Sequence, residues 1–159
     1  MFLMQKGIRD GLPGYGTLSV SGGTFSTTKD IYVGLDGHGA VNVGTGGVVT
    51  ARNLYLTNSY DTVAGETVAG NLSFTPGATT SGRVNLSGTL YIAPGATLNV
   101  DATGYEGKSK VTLLQCSSMS GAFSAENVTL QPNNGKFLLD VTSQGITLYP
   151  QVGMAIILR

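Results

Sequence analysis

The sequence predicts a single all-β domain over residues 1–159, folded as a parallel β-helix, or β-solenoid, with coils of about 23 residues and a C-terminal β cap. Three observations predict this class. The composition favours turns and strands, with 24 glycines and only 11% charged residues. Apolar and polar residues alternate with the period of strands. A segment of the N-terminal third also repeats without a gap.

The repeat aligns residues 18–33 with residues 41–56, at an offset of 23 that places Leu18 on Val41. A unit of three short strands cannot bury its own apolar face. It must therefore stack on the next unit, about 4.8 Å away, with equivalent residues in register. The pairs expected in the core are Leu18 with Val41, Val20 with Val43, Phe25 with Val48, Ile31 with Leu54, and Val33 with Leu56.

Beyond residue 57 the sequence leaves the register open. Residues 58–70 are typical of a longer loop or protrusion. Residues 84–86 (VNL) echo 41–43 (VNV), whereas residues 90–92 (LYI) echo 54–56 (LYL). The two echoes require insertions of different length, so both registers stay as alternatives.

The C-terminal part differs from the repeat coils, which span residues 16–100. Because the last coil of a solenoid exposes unpaired backbone, a dissimilar cap is expected within residues 101–159. The apolar segment 154–158 is either the last buried strand or an open edge that joins another subunit. Strands are expected at 108–115, 121–123, 127–130, 137–141 and 146–149. At this coil length the chain forms about six or seven coils.

Charge and composition exclude several classes of partner. Nine basic residues balance nine acidic ones, so no long-range field favours nucleic acid or an anionic membrane surface. No apolar run is long enough for membrane insertion. The N-terminus lacks a signal-peptide core, which indicates either a protein that stays inside the cell or a mature or truncated form of an exported one. The composition favours export.

Cys116 is the only cysteine and is expected to act as a small apolar residue on a strand.

The only histidine, His38, lies in the stretch LDGHGAV, residues 35–41. Gly-His-Gly also occurs in polygalacturonase-type glycosidases, but hydrolysis needs two positioned carboxyl groups. The other pieces expected there, Asn-Thr-Asp, Asp-Asp and Arg-x-Lys, are absent. The repeat places residues 35–40 between two coils, so we interpret His38 as part of a turn and expect no catalytic residue.

The same loop holds one imperfect copy of a calcium-binding nonapeptide. Because the ligands of that motif come from tandem copies on adjacent coils, neither a metal nor any other cofactor is expected.

The candidate binding residues form one group. Tyr32 and Tyr55 lie between inward apolar residues and so point outward, and Tyr91 is a third candidate. Lys29 and Arg52 lie beside them as a short basic pair. This group is either a surface that grips a glycan or a partner protein or a ladder of rings that stabilises the stack. The ladder is the favoured interpretation.

Three segments carry a family resemblance: GTLSVSGGTFSTTKDIYVG (16–34), AVNVGTGGVVTARNLYL (40–56), and TLNVDATGYEGKSKVTLLQCSSMSGAFSAENVTL (97–130). Over residues 16–148 the chain resembles the passenger regions of bacterial autotransporter-like surface proteins, including autotransporter-associated β-strand repeats. The resemblance implies a right-handed β-helix that is secreted or displayed on the cell surface as an adhesin stalk or structural spacer.

We therefore expect a non-enzymatic, extracellular or cell-surface module with a structural or adhesive role and a host or matrix glycan or protein as partner. One alternative is a subunit that assembles into filaments, because the two ends of a solenoid are heterologous surfaces. A carbohydrate-active β-helix enzyme is the least favoured alternative.

Overall fold

The computed structural model describes residues 2–3, 14–35, 37–61 and 65–151, and it is an all-β structure with mainly parallel strands. The strands are β1 (Phe2–Leu3), β2 (Gly14–Val20), β3 (Thr24–Ser26), β4 (Ile31–Val33), β5 (Gly37–Gly44), β6 (Val48–Ala51), β7 (Leu54–Leu56), β8 (Asn58–Asp61), β9 (Glu66–Thr75), β10 (Arg83–Leu86), β11 (Thr89–Ile92), β12 (Thr97–Asp101), β13 (Val111–Gln115), β14 (Ser118–Ser120), β15 (Val128–Gln131), β16 (Phe137–Thr142) and β17 (Gly145–Pro150). A short 3₁₀ helix, η1, covers Ala125–Asn127. Nowhere in these ranges does a helix have the length and apolar character to cross a membrane.

The strands form three sheets that the chain enters in a fixed order. Sheet 1 contains β2, β5, β9, β12 and β15; sheet 2 contains β3, β6, β10, β13, β17 and β16; sheet 3 contains β1, β4, β7, β11 and β14, each given in spatial order. We call one passage through sheets 1, 2 and 3 a circuit. Corresponding strands of successive circuits pair in parallel, as β2 does with β5. Equivalent residues of successive circuits therefore lie side by side.

The register predicted for the N-terminal third is confirmed in sheets 1 and 3 and is wrong by one residue in sheet 2. β2 pairs with β5, and β4 with β7, as the repeat predicts. Phe25, however, pairs with Val49 and not with Val48. Between residues that pair in register, the second circuit has one residue more than the first before sheet 2 (43 to 48 against 20 to 24). It has one residue fewer after sheet 2 (50 to 54 against 26 to 31). Val49 is consequently fully buried, whereas Val48 is only partly buried.

The two echoes beyond residue 57 have different outcomes. Residues 90–92 pair with 54–56, as the second echo predicts. Residues 84–86 do not continue 41–43, because Val84 pairs with Val49. The first echo is therefore wrong.

An excursion from the second circuit accounts for this failure. β8 leaves the circuit and pairs antiparallel with the start of β9, so the predicted protrusion is a hairpin. Together with the segment between β12 and β13, this insertion lengthens the circuits. Sheet 1 contains five parallel strands within the described residues, fewer than the six or seven coils estimated from the sequence.

All three sheets contribute to one apolar core. Val41 of sheet 1, Val49 of sheet 2 and Leu54 of sheet 3 are fully buried in the same cluster. The predicted core residues of the first circuit divide into two groups. Ile31 and Val33 are fully buried, whereas Leu18, Val20 and Phe25 are partly buried and pack against the cluster from its end.

Within residues 101–151, β13, β14 and β15 continue the parallel circuits, and the last two strands depart from them. β16 and β17 form an antiparallel hairpin, and β17 also pairs antiparallel with β13. The hairpin therefore covers one edge of sheet 2. Residues 121–123, predicted as a strand, follow β14 and form none. The apolar segment 154–158 and most of residues 1–15 lie outside the described residues.

The core assignment predicts unequal costs for two leucine truncations. Leu54→Ala should lower the free energy of unfolding by about 2–5 kcal/mol, because Leu54 is fully buried. Leu18→Ala removes the same atoms from a partly buried position at the end of the core and should cost less. Chemical denaturation of both variants measures the difference. Equal losses would contradict the burial gradient along the stack.

Candidate functional site

A ladder of three tyrosines runs along the outer side of sheet 3. Tyr32, Tyr55 and Tyr91 pair in register on β4, β7 and β11. The ring centroids of Tyr32 and Tyr55 are 4.5 Å apart with an interplanar angle of 12°, and those of Tyr55 and Tyr91 are 4.3 Å apart with an angle of 4°. Their strand neighbours are buried, so the rings point away from the core. The structure thus contains the predicted stack, with Tyr91 as its third member.

The stacking limits what the ladder can present to a ligand. Tyr55 has a ring against each of its faces, so it offers only its edge and its hydroxyl. A sugar or a cation that binds an aromatic face finds none at this position. Ring faces outside the stack occur only at its ends. The residue in register beyond Tyr91 is Ser120 on β14.

One member of the predicted basic pair, Arg52, forms an ion pair with Asp30 that sequence reasoning missed. Arg52 Nε and Nη2 donate to Oδ1 and Oδ2 of Asp30 at 2.8 and 2.9 Å. Asn53 Nδ2 donates to the same carboxylate at 2.9 Å. The Arg52 charge is therefore matched by Asp30, while Lys29 is exposed and joins Arg52 only through a backbone hydrogen bond of 3.1 Å. The cationic character proposed for this group is thus reduced to Lys29.

These contacts shift three pKa values. Hydrogen bonds from the Arg52 guanidinium hold the pKa of Asp30 below its ordinary value of 3.8. The same carboxylate raises the pKa of Arg52. Loss of hydration within the ladder, with a side-chain hydrogen bond to Tyr91, raises the pKa of Tyr55. At neutral pH the ion pair is therefore fully charged, and the Tyr55 hydroxyl is neutral.

A groove of about 450 Å³ adjoins the Tyr91 end of the ladder. Its described lining carries no charged side chain and consists of Leu35, Tyr55, Leu56, Thr57, Asn58, Tyr91, Ile92, Ala93, Ser120 and Gly121. Asn58 Nδ2 donates to the Pro94 carbonyl oxygen at 3.1 Å, which holds its carboxamide at the rim. Thr57 Oγ1 donates to the Val33 carbonyl oxygen at 2.8 Å. The groove combines an aromatic wall with a polar rim.

His38 lies in a strand, and its interpretation as part of a turn is wrong. β5 begins at Gly37, so His38 pairs with Tyr15 of β2. The two rings stack with centroids 4.6 Å apart and an interplanar angle of 6°. The bend lies earlier in the chain, at Gly34, where φ is +81°. The histidine therefore belongs to a second, shorter aromatic stack.

The remaining candidates for chemistry are dispersed. Within the described ranges no three His, Cys, Asp or Glu side chains come together in a group that could hold a metal ion. Cys116 follows β13 and is not on a strand, but it is buried as expected. Its burial raises the pKa of the thiol, which keeps it protonated and unreactive at neutral pH.

Comparisons with protein-family models, curated proteins and solved structures find no match for this chain.

The Asp30–Arg52 pair predicts a pH-dependent contribution to stability. Because the folded-state pKa of Asp30 lies below 3.8, its contribution is present above that pH and is lost as pH falls through the lowered value. Asp30→Asn should therefore lower the Tm modestly at neutral pH and less at pH well below 3.8. Thermal melts across this range measure the effect. Asp140→Asn, at an exposed position of β16, is the control. A Tm difference that does not change with pH would contradict the assignment.

Proposed function

We propose that the chain folds as a right-handed parallel β-helix and acts as a non-enzymatic structural and adhesive module of a secreted or bacterial cell-surface protein. The repeated order of the three sheets supports the β-helix, because each circuit returns to the sheet in which it began. Crossover connections between parallel strands are right-handed in nearly all proteins. The resemblance of the repeats to autotransporter-like passengers supports the surface location.

The tyrosine ladder with its groove carries the adhesive part of this proposal. In-register stacking lines up Tyr32, Tyr55 and Tyr91 along one side of the molecule, and the groove adds polar groups at one end. Aromatic residues are enriched at protein interaction surfaces, where they supply apolar area and a polar tip. A rigid sheet holds them in place without a cost in loop ordering.

The positions of the ionisable residues support a role without catalysis. Glycoside hydrolysis requires two carboxyl groups that face one scissile bond. The carboxylate of Asp30 is engaged by Arg52 and Asn53, and His38 stacks on Tyr15 on a different sheet. These side chains are therefore engaged in contacts that hold neighbouring circuits together.

The adhesive role predicts binding that depends on the ladder. Immobilised protein should bind a subset of glycans or extracellular matrix proteins, and Tyr32→Ala and Tyr55→Ala should each weaken binding by about tenfold, because each removes ring edge and hydroxyl contacts. Glycan microarrays and solid-phase binding assays measure this, with circular dichroism to verify folding.

Tyr149→Ala is the matched control, since it removes a half-buried tyrosine from β17 in sheet 2. If the protein binds no surface, or if Tyr149→Ala weakens binding as much as the ladder variants do, the adhesive role is contradicted.

Self-assembly is a second candidate function, favoured by the ends of the sheets. Within the described part of the chain, β14 and β15 are the terminal strands of sheets 3 and 1, and the C-terminal hairpin covers only sheet 2. Parallel strands with an open edge can accept a strand from another copy. Two unlike ends that join head to tail would give an open filament.

The filament candidate predicts polymers whose amount rises with protein concentration, visible by electron microscopy and light scattering. Thr129→Lys places a charge at an exposed position of β15 and should shift assembly to higher concentration. Thr112→Lys makes the same change on β13, which has a partner on each side, and should have little effect. A protein that stays monomeric throughout would exclude this candidate.

A further inference from the structure

The tyrosine ladder stops at Tyr91, and a serine occupies the next position in register. Tyr55 covers one face of Tyr91 at 4.3 Å. On the other side β14 pairs with β11 so that Ser120 lies opposite Tyr91. Ser120 is exposed and has no ring to place against Tyr91. Among the described residues, one aromatic face of the ladder therefore has no ring stacked on it.

The groove described above opens at this position. Both Tyr91 and Ser120 line it, together with Gly121. Gly121 has φ of +85°, and a side chain there would collide with the carbonyl oxygen of Ile92. Two small residues, Ser120 and Gly121, therefore lie next to Tyr91, the last tyrosine of the ladder, and the backbone conformation at position 121 requires glycine. These small residues leave the space beside Tyr91.

The lining of the groove indicates the chemistry of its ligand. Among its described residues only the tyrosines are ionisable, which favours a neutral ligand. The Asn58 carboxamide donates one N–H to the Pro94 carbonyl oxygen. A carboxamide also has a second N–H and an acceptor oxygen with which it can form further hydrogen bonds. Ser120, which carries a hydroxyl, also lines the groove. The site offers one aromatic face surrounded by neutral hydrogen-bonding groups.

A pyranose ring matches this combination. It has an apolar C–H face that stacks on an aromatic ring and hydroxyls at its edge that bond to amides and hydroxyls. An aromatic peptide side chain would use the face of Tyr91 but would leave the polar rim unpaired, which disfavours it. The groove volume of about 450 Å³ falls within the usual range for small-molecule sites.

We propose that this groove binds one neutral pyranose ring of a glycan, stacked on the open face of Tyr91 in the ladder position of Ser120. The inference rests on the proposed adhesive function and assigns a ligand class and a contact point to it. The ligand ring occupies the position that a further tyrosine at residue 120 would occupy. The stacking contact of this ring lies at the Tyr91 end of the ladder.

The test is a heteronuclear NMR titration with methyl β-D-glucopyranoside and methyl β-D-galactopyranoside as probes. In the wild-type protein at least one probe should shift the amide signals of Tyr91, Ser120 and Gly121 with saturation. Tyr91→Ala removes the stacking face, and Ser120→Tyr fills the slot with a ring from the chain itself. Each variant should weaken binding by about tenfold or more.

Two further variants separate binding from folding. Ser118→Tyr introduces the same residue on the same strand, but at the register of Thr89, and should bind as the wild type does. Asn58→Ala removes the amide from the rim and should weaken binding while the fold is retained. Ser120→Tyr should keep or raise the Tm because it extends the stack.

Three results would overturn the inference: no shift at these amides in the wild-type protein, unchanged affinity in Ser120→Tyr, or tighter binding of N-acetyltyrosinamide than of both glycosides. Its failure is distinct from failure of the adhesive function. Surface binding that survives in Ser120→Tyr leaves adhesion standing and refutes this site. Saturable shifts in a protein that binds no glycan or matrix surface support the site and refute adhesion.

Discussion

Parallel pairing at a spacing of about 4.8 Å is the constraint on which the rest of the structure depends, because it places each side chain beside its counterpart in the next circuit. Inside, the constraint demands an apolar residue at every level. One column of sheet 3 shows this, with Ile31, Leu54, Leu90 and Met119 in register. Outside, the same constraint stacks tyrosine on tyrosine. Core and surface ladder are therefore two sides of one pairing rule.

The corners between short strands need side chains to complete their hydrogen bonding. Asn53 shows how this is done, because it links three circuits at one bend. Its Nδ2 donates to Asp30 of the circuit before, and its Oδ1 accepts from the Thr89 backbone N–H of the circuit after at 2.7 Å. Gly88 leaves room for this, since a side chain there would collide with the Asn53 carboxamide oxygen. Buried polar groups at the bend are thus satisfied where strand pairing is interrupted.

The repeat in the sequence was sufficient to predict an all-β fold with parallel strands and the register of the first two strands of sheets 1 and 3, because residues 18–33 and 41–56 have equal length. It could not predict that Phe25 faces Val49, since the two circuits differ by one residue before sheet 2 and by one residue in the opposite direction after it. The strand position of His38 was hidden for a related reason. Its flanking glycines are typical of a turn, but Gly39 is needed because a side chain there would collide with the Gly34 backbone. The Arg52–Asp30 pair was detectable in principle, because the offset of 23 aligns Lys29 with Arg52 and Asp30 with Asn53 and so places Asp30 and Arg52 one position apart on neighbouring circuits.

Regular stacking also determines which positions of such a surface have a ring face that a ligand can contact. An uninterrupted ladder covers its own ring faces, so its interior positions present only ring edges and hydroxyls. Openings arise where the repeat breaks. Sheet 3 has such a break at Ser120, next to the transition to the antiparallel hairpin of the C-terminal part. Sheet 1 has another, where the Tyr15 and His38 stack adjoins Ala69 in a groove of about 250 Å³. In a chain of repeats, the interruptions are the positions that can distinguish one ligand from another.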